Sequence, residues 1–129
     1  MGERDKHGMR VLIVDDERII ADTLSLILAK KGFETRAVYS GEEALEAAPK
    51  LVPDVLVSDV VMRGMSGIDA AIQICATIPK CRVILLSGQG GTADLLRQAK
   101  SHGHLFEILT KPIHPQVLID RLSSIAGTA

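Results

Sequence analysis

The sequence predicts an α/β fold in which a five-stranded parallel sheet carries helices on both faces. Short apolar runs rich in Val, Ile and Leu alternate along the chain with amphipathic segments, and this order is typical of parallel strands joined by right-handed helical crossovers. The runs at residues 10–14, 55–58 and 82–86 are almost continuously apolar, as expected of strands that helices cover on both faces. The alternation and the two-sided burial together define the fold class.

The composition fits one domain and argues against several classes of partner. The chain has 129 residues, of which 47% are apolar and 2% aromatic, and its formal net charge is −1. We therefore expect neither a base-stacking platform nor a basic surface for nucleic acid. Apolar runs stay far below the ~20 residues of a membrane span, and the charged N-terminus lacks the apolar region of a secretory signal. These features predict a cytoplasmic protein without membrane contact, whose Cys75 and Cys81 are free thiols.

The order of elements follows from periodicity and from capping residues. We expect residues 1–9 to be a disordered lead-in and residues 10–127 to form the domain. The second strand contains Thr35 and Arg36 and is less apolar than the others, which places it at a sheet edge. The predicted strands cover residues 10–14, 33–39, 55–58, 82–86 and 106–109.

Helix starts are predicted where a capping residue precedes an amphipathic segment. The second helix is expected to end at Ala48, before Pro49 and Pro53, and the third before Pro79. The helices after the first are predicted to begin at Ser40, which forms a capping box with Glu43, at Ser66 or Gly67, at Thr92, and at His114, with Pro115 in the first helical position.

Polar residues follow four of the five predicted strands. Asp15 and Asp16 follow the first strand, Asp59 the third, Ser87 the fourth and Lys111 the fifth. Parallel strands bring their carboxyl ends to one edge, so these side chains are expected to converge. Three neighbouring carboxylates repel one another, and Mg²⁺, which prefers oxygen ligands, would relieve that repulsion. A carboxylate nucleophile, a Mg²⁺ site, a lysine and a hydroxyl are the groups that aspartyl-phosphate chemistry requires, and Asp59 is the predicted nucleophile.

These residues also carry a resemblance to response-regulator receiver domains of two-component signalling, over residues 10–126. The shared features are the acidic pair, an Asp followed by M-x-G-M-S-G, the Ser after the fourth strand and the K-P after the fifth. The resemblance implies the flavodoxin-like strand order 2-1-3-4-5. It also implies a cis peptide bond between Lys111 and Pro112.

The resemblance assigns a role to each polar residue. It implies that Asp59 is the phosphoacceptor, and that Asp16 binds Mg²⁺ directly while Asp15 binds it through water. The backbone carbonyl of Val61 would be a further metal ligand. Lys111 would pair with Asp59 and then with the phosphoryl group, toward which Ser87 would move.

The implied function is a switch that accepts a phosphoryl group from a sensor histidine kinase or a phosphotransfer protein. The chain would catalyse only its own phosphorylation and dephosphorylation, and would not be an enzyme toward other substrates. Its target would bind the face made by the fourth helix, fifth strand and fifth helix. Two alternatives stay open, namely a pseudo-receiver that binds partners without phosphorylation and an aspartyl-phosphate phosphatase of the haloacid-dehalogenase type.

Three positions depart from the family pattern. Arg63 stands where the family commonly has proline, which leaves a looser loop or a contact with a partner as interpretations. Ile108 replaces the usual Tyr or Phe, so the customary readout through the fifth strand is in question. Val61 stands where a polar side chain often places the attacking water, which predicts a long-lived phosphoryl group.

Overall fold

The computed structural model describes residues 8–88 and 106–127, with Ala93, Asp94, Arg97, Lys100 and Gly103 between them. It contains the predicted parallel sheet of five strands, in the order β2-β1-β3-β4-β5. The strands are β1 (Arg10–Val14), β2 (Glu34–Val38), β3 (Val55–Asp59), β4 (Arg82–Ser87) and β5 (Glu107–Thr110). The helices with complete bounds are α1 (Arg18–Lys30), α2 (Gly41–Leu51), α3 (Gly67–Thr77) and α4 (Pro115–Ala126). The helix α4 is the one predicted as the fifth helix from the sequence.

Side chains of the sheet alternate between two apolar clusters, because successive residues of a strand point to opposite faces. One cluster joins Leu12, Leu56 and Leu85 to residues of α2 and α3. The other joins Ile13 and Val57 to residues of α1 and α4. All five residues of β3 are buried, so this strand is the centre of the core and its carboxyl end is held rigidly. The less apolar β2 lies at the sheet edge, as predicted.

Three predicted helix caps are confirmed. The Ser40 hydroxyl accepts the Glu43 N–H at 3.0 Å, and the Glu43 carboxylate in return accepts the Tyr39 N–H at 3.0 Å. Ser66 accepts the N–H of Asp69, and His114 Nδ1 accepts the N–H of Gln116, both at 3.1 Å. These contacts satisfy backbone donors that the first helical turn leaves without partners.

The ends of β2, β3, β4 and β5 differ from the prediction by at most one residue, and two other boundaries differ for a clear physical reason. Met9 was predicted to belong to the disordered lead-in, but it is 2% exposed, and its carbonyl accepts the Glu34 N–H at 2.9 Å. Apolar burial thus orders the chain from Gly8. Residues 1–7 lie outside the described part. Pro49, placed after the second helix, lies inside α2. The helix continues to Leu51 past the proline, and the Val52 N–H still donates to the Ala48 carbonyl at 2.7 Å.

The predicted fourth helix falls largely outside the described residues. Ala93, Asp94, Arg97 and Lys100 are helical, whereas its expected cap, Thr92, is not described. The partner face predicted on this helix is therefore described only through β5 and α4.

Candidate functional site

Three carboxylates meet at the carboxyl edge of the sheet. One oxygen from each of Asp15, Asp16 and Asp59 lies within 4.8 Å of the others. Asp15 is 1% exposed and Asp59 is 6% exposed, so two of the three charges are withdrawn from water. The predicted convergence of these residues is confirmed by the strand register, which pairs β1 with β3 along their length.

Lys111 joins two of these carboxylates. Its Nζ lies 3.0 Å from Asp59 Oδ2 and 3.5 Å from Asp15 Oδ2. The backbone helps to fix the lysine, because the Lys111 N–H donates to the Ser87 carbonyl at 2.8 Å. The Lys111–Pro112 peptide is cis, as predicted. The other oxygen of Asp15 accepts the Glu17 N–H at 2.9 Å. Lys111 and the start of α1 thus hold the buried pair of carboxylates in place.

The pKa values of this pair reflect burial and charge. Burial raises the pKa of the Asp59 carboxyl above its ordinary value; Lys111 acts against that shift and the charge of Asp15 adds to it. Burial alone would lower the pKa of Lys111, but its hydrogen bond with Asp59 and the two carboxylate charges outweigh burial, and this pKa is raised. An ionised Asp59 therefore carries a free-energy cost that further positive charge would reduce.

A close backbone approach positions Asp59. A Cβ on Gly67 would lie 1.9 Å from the Asp59 carbonyl oxygen and 2.7 Å from Ser58 Oγ. The Gly67 N–H donates to the Val60 carbonyl at 2.9 Å. Only glycine lets α3 begin directly against the end of β3, so the last letter of M-x-G-M-S-G is explained by packing.

Asp16 has a partner that the sequence did not reveal. Its Oδ2 accepts the Arg63 N–H at 3.2 Å and lies 3.6 Å from Arg63 Nε. Arg63 was expected to loosen its loop or to contact another protein, but it ties the loop after β3 to the loop after β1. The unusual arginine in M-x-G-M-S-G was the available signal, although spacing alone could not name its partner.

Ser87 and Val61 follow the strands at the same edge, and the structure supports their predicted roles to different degrees. The Ser87 hydroxyl is buried and donates to the Gly88 carbonyl at 3.2 Å, and Ser87 pairs with Thr110 next to Lys111. The Val61 side chain is 62% exposed, and the role of its carbonyl stays a prediction. Cys75 and Cys81, predicted as free thiols, are free.

The donor set suits a small divalent cation. The grouped ligands are all carboxylate oxygens, which is the chemistry that Mg²⁺ and Ca²⁺ select. One oxygen of Asp15 and one of Asp59 already contact Lys111, so a cation at this edge would share carboxylates with a positively charged side chain. The residues present therefore fit the metal that the sequence predicted.

Comparison with known proteins agrees with the fold and identifies the family. The sequence signature described as "Response regulator receiver domain" matches residues 11–123. The chemotaxis protein CheY of Thermotoga maritima is 32% identical over 120 residues, covering 92% of this chain and 98% of CheY. A CheY-like receiver domain of Methanospirillum hungatei superposes with a TM-score of 0.84 at 21% identity, covering 94% of this chain and 95% of that one, which supports the fold alone.

A parallel sheet whose carboxyl edge bears three aspartates and a lysine thus defines a receiver domain of two-component signalling. The chain belongs to the response regulator receiver domain family. It is also 29% identical to the DNA-binding response regulator MtrA of Mycobacterium tuberculosis, covering 92% of this chain but 50% of MtrA. It therefore spans about half the length of the DNA-binding regulators that it matches. Within the described residues, each helix is too short or too polar to cross a membrane.

Proposed function

We propose that this chain is a phosphorylation-controlled switch in which Asp59 accepts a phosphoryl group with the help of Mg²⁺ and thereby changes partner binding. The observation that carries the proposal is the position of Asp59. Its carboxylate is nearly buried, lies within 4.8 Å of oxygens of Asp15 and Asp16, and contacts Lys111 at 3.0 Å. A nucleophile, a cation site and a fixed positive charge thus share one edge of the sheet.

Asp16 and Asp59 would bind Mg²⁺ directly, Asp15 through water, and Val61 through its backbone carbonyl. The bound cation neutralises negative charge on the transferring phosphoryl group. The role of Asp15 fits its contacts, because Glu17 N–H and Lys111 already engage both of its oxygens. A carboxylate held in this way orients a water more readily than it moves toward the ion.

In the transfer step, an Asp59 oxygen attacks phosphorus and forms a new O–P bond. The P–N bond of a donor phosphohistidine breaks, and the imidazole leaves with the electron pair. Lys111 shifts from the Asp59 carboxylate to a phosphoryl oxygen without moving far, since its Nζ already lies 3.0 Å from Oδ2. Ser87 would turn its hydroxyl from Gly88 toward another phosphoryl oxygen. We expect the chain to catalyse on itself both this transfer and the later hydrolysis of the aspartyl phosphate, in which water attacks and inorganic phosphate leaves, and not to act on other substrates.

The donor would be a sensor histidine kinase or a phosphotransfer protein. An apolar groove lined by Ile19, Ile20 and Ile113 lies beside Lys111, and Ile19 is 82% exposed. A protein donor would contact this groove while presenting its phosphohistidine to Asp59. Ile19→Lys should therefore load normally from a small donor such as acetyl phosphate and more slowly from a histidine kinase that phosphorylates the wild type. Equal rates from both donors in the two proteins would remove the groove from the proposal.

A phosphoryl group of charge about −2 on Asp59 would be read by a downstream partner through the face that includes β5 and α4. Ile108 lies on β5 and packs against the cluster of α2 and α3. An isoleucine lacks the ring that the family usually turns inward at this position. The signal would therefore depend on Ser87 and on the loop after β4 more than on this strand.

The first experiment is intact mass after incubation with acetyl phosphate, with and without Mg²⁺, for wild type and Asp59→Asn. A phosphate adduct on the wild type alone, dependent on Mg²⁺, is the expected result. An adduct that persists in Asp59→Asn would place the acceptor elsewhere. A wild type that binds Mg²⁺ but acquires no adduct from acetyl phosphate or from any histidine kinase supplied with ATP would favour the pseudo-receiver alternative.

A further inference from the structure

Arg63 is the second cation at the carboxylate edge, and its environment differs from that of Lys111. The Lys111 side chain is 23% exposed and contacts two nearly buried carboxylates, whereas the Arg63 side chain is 89% exposed and contacts Asp16. The Asp16 side chain is 21% exposed, which makes it the most accessible of the three aspartates. The arginine therefore sits at the solvent side of the site, where it can leave without unpacking the core.

One oxygen of Asp16 receives both interactions from Arg63. Oδ2 accepts the backbone N–H at 3.2 Å and lies 3.6 Å from the guanidinium Nε. In the proposed function, Asp16 is the residue that binds Mg²⁺ directly. A Mg²⁺ ion that binds Asp16 must share this carboxylate with the Arg63 guanidinium or displace it. The positive charge of the guanidinium is repelled by the nearby divalent ion.

We propose that Arg63 is an internal competitor for Mg²⁺, which occupies Asp16 in the metal-free protein and sets the metal affinity of the site. The inference rests on the proposed function, because it assigns Asp16 to the metal. Arg63 is a positioning residue in this scheme: it acts through Asp16 and keeps the metal-free carboxylate in place. When Mg²⁺ binds, the guanidinium is released to solvent at the mouth of the site.

The sign of the effect separates competition from a merely structural role. If Arg63 only supported its loop, removal of the side chain would loosen Asp16 and weaken Mg²⁺ binding. If it competes, removal strengthens binding, since the ion no longer displaces a guanidinium. The ion pair is solvent-exposed, so we expect a change of about two- to tenfold in the dissociation constant. Screening should reduce that ratio as ionic strength rises from about 0.05 to 0.5 M.

The experiment is a Mg²⁺ titration followed by backbone amide NMR, which needs neither phosphorylation nor a partner. The proteins compared are wild type, Arg63→Gln, Arg63→Lys and Lys50→Gln. Arg63→Lys keeps the charge and should resemble the wild type. Lys50→Gln removes one positive charge from the last turn of α2, at the opposite edge of the sheet, and controls for net charge. The metal-free spectra report whether each variant is folded.

Tighter binding by Arg63→Gln alone, with a ratio that shrinks at high salt, is the result expected. Equal or weaker binding by Arg63→Gln, in a wild type that binds Mg²⁺, overturns the competition and leaves the proposed function intact. An equal gain in Lys50→Gln also overturns it, because net charge would then explain the effect. Failure of wild type and Arg63→Gln alike to bind Mg²⁺ overturns the metal site on which both proposals rest.

Discussion

Replacing Asp59 by asparagine should stabilise the metal-free protein, although Asp59 is central to the proposed function. The reason is the charge balance at the sheet edge. The substitution removes one attraction, to Lys111 Nζ at 3.0 Å, and two repulsions, from oxygens of Asp15 and Asp16 that lie within 4.8 Å. It also removes the cost of keeping an ionised carboxylate at 6% exposure.

The magnitude follows from Coulomb's law with an effective dielectric constant of about 20. The attraction lost is then about 5.5 kcal/mol, and each repulsion relieved is at least about 3.5 kcal/mol. The net electrostatic gain is about 1.5 kcal/mol before the desolvation cost is added. We therefore expect the free energy of unfolding to rise by about 1 to 2 kcal/mol, which for a domain of this size raises Tm by roughly 3 to 8 °C.

The pH dependence gives an independent check of the sign. Because the pKa of Asp59 is raised in the folded protein, the carboxyl stabilises the fold when it is protonated, and this contribution is lost as pH rises through the raised pKa. The advantage of Asp59→Asn should thus be greatest above the raised pKa and should diminish as pH falls through that pKa toward the ordinary carboxyl value of about 4.

The assay is urea unfolding followed by circular dichroism, in EDTA and at several pH values. Asp54→Asn is the matched control, because Asp54 accepts the Arg10 N–H at 2.8 Å and lies 3.8 Å from Arg10 Nε. The same substitution should therefore destabilise the protein there. A metal-free Asp59→Asn that is less stable than the wild type at neutral pH would refute this charge balance, because the attraction to Lys111 would then outweigh both repulsions.

Three further predictions follow from neighbouring contacts. Gly67→Ala should destabilise the protein by more than about 2 kcal/mol in the same urea assay, since the new Cβ would lie 1.9 Å from the Asp59 carbonyl oxygen. The control is Gly127→Ala, whose Cβ would meet nothing closer than 3.5 Å. Its free energy of unfolding should stay within about 0.5 kcal/mol of the wild-type value. Lys111→Gln should destabilise the metal-free protein by about 2 to 4 kcal/mol, and adding Asp59→Asn should recover part of that loss in a double-mutant cycle. Val61→Asn should shorten the lifetime of the phosphorylated protein about tenfold, a ratio that matches the free energy of a single hydrogen bond to the attacking water. The measurement is intact mass followed over time after removal of the donor. An unchanged decay would show that Val61 does not limit hydrolysis.

The edge of the sheet that bears the carboxylates was the most predictable part of this molecule, and for a physical reason. A buried strand tolerates charge only where it leaves the core, so the change from Val14 to Asp15 and from Ser58 to Asp59 marks the carboxyl edge directly in the sequence. Parallel topology then brings those ends together. The convergence of Asp15, Asp16 and Asp59 needed no knowledge of side-chain conformation, and it was predicted correctly.

Contacts made by exposed side chains in loops were not predictable in the same way. Asp16 and Arg63 are separated by 47 positions, and periodicity carries no information about which rotamer an exposed arginine adopts. The end of α2 was missed for a related reason: proline was taken as a stop signal, whereas α2 accommodates Pro49 in its last turn and continues to Leu51. Boundaries and loop contacts depend on small free-energy differences that a hydrophobic pattern does not encode.

The charge balance links the fold to the proposed switch. The described site places three carboxylates against two cations, Lys111 and Arg63, so the metal-free state retains an excess of negative charge in a partly buried place. The sheet can hold this arrangement because β3 is buried along its whole length and apolar clusters cover both of its faces. If a divalent cation displaces Arg63, it would cancel this excess, and a phosphoryl group of charge about −2 in place of the single charge of Asp59 would add one negative charge. In the proposed function, each ligand would therefore create the electrostatic conditions that favour the other, and we expect Mg²⁺ binding and phosphorylation to depend on each other at this edge of the sheet.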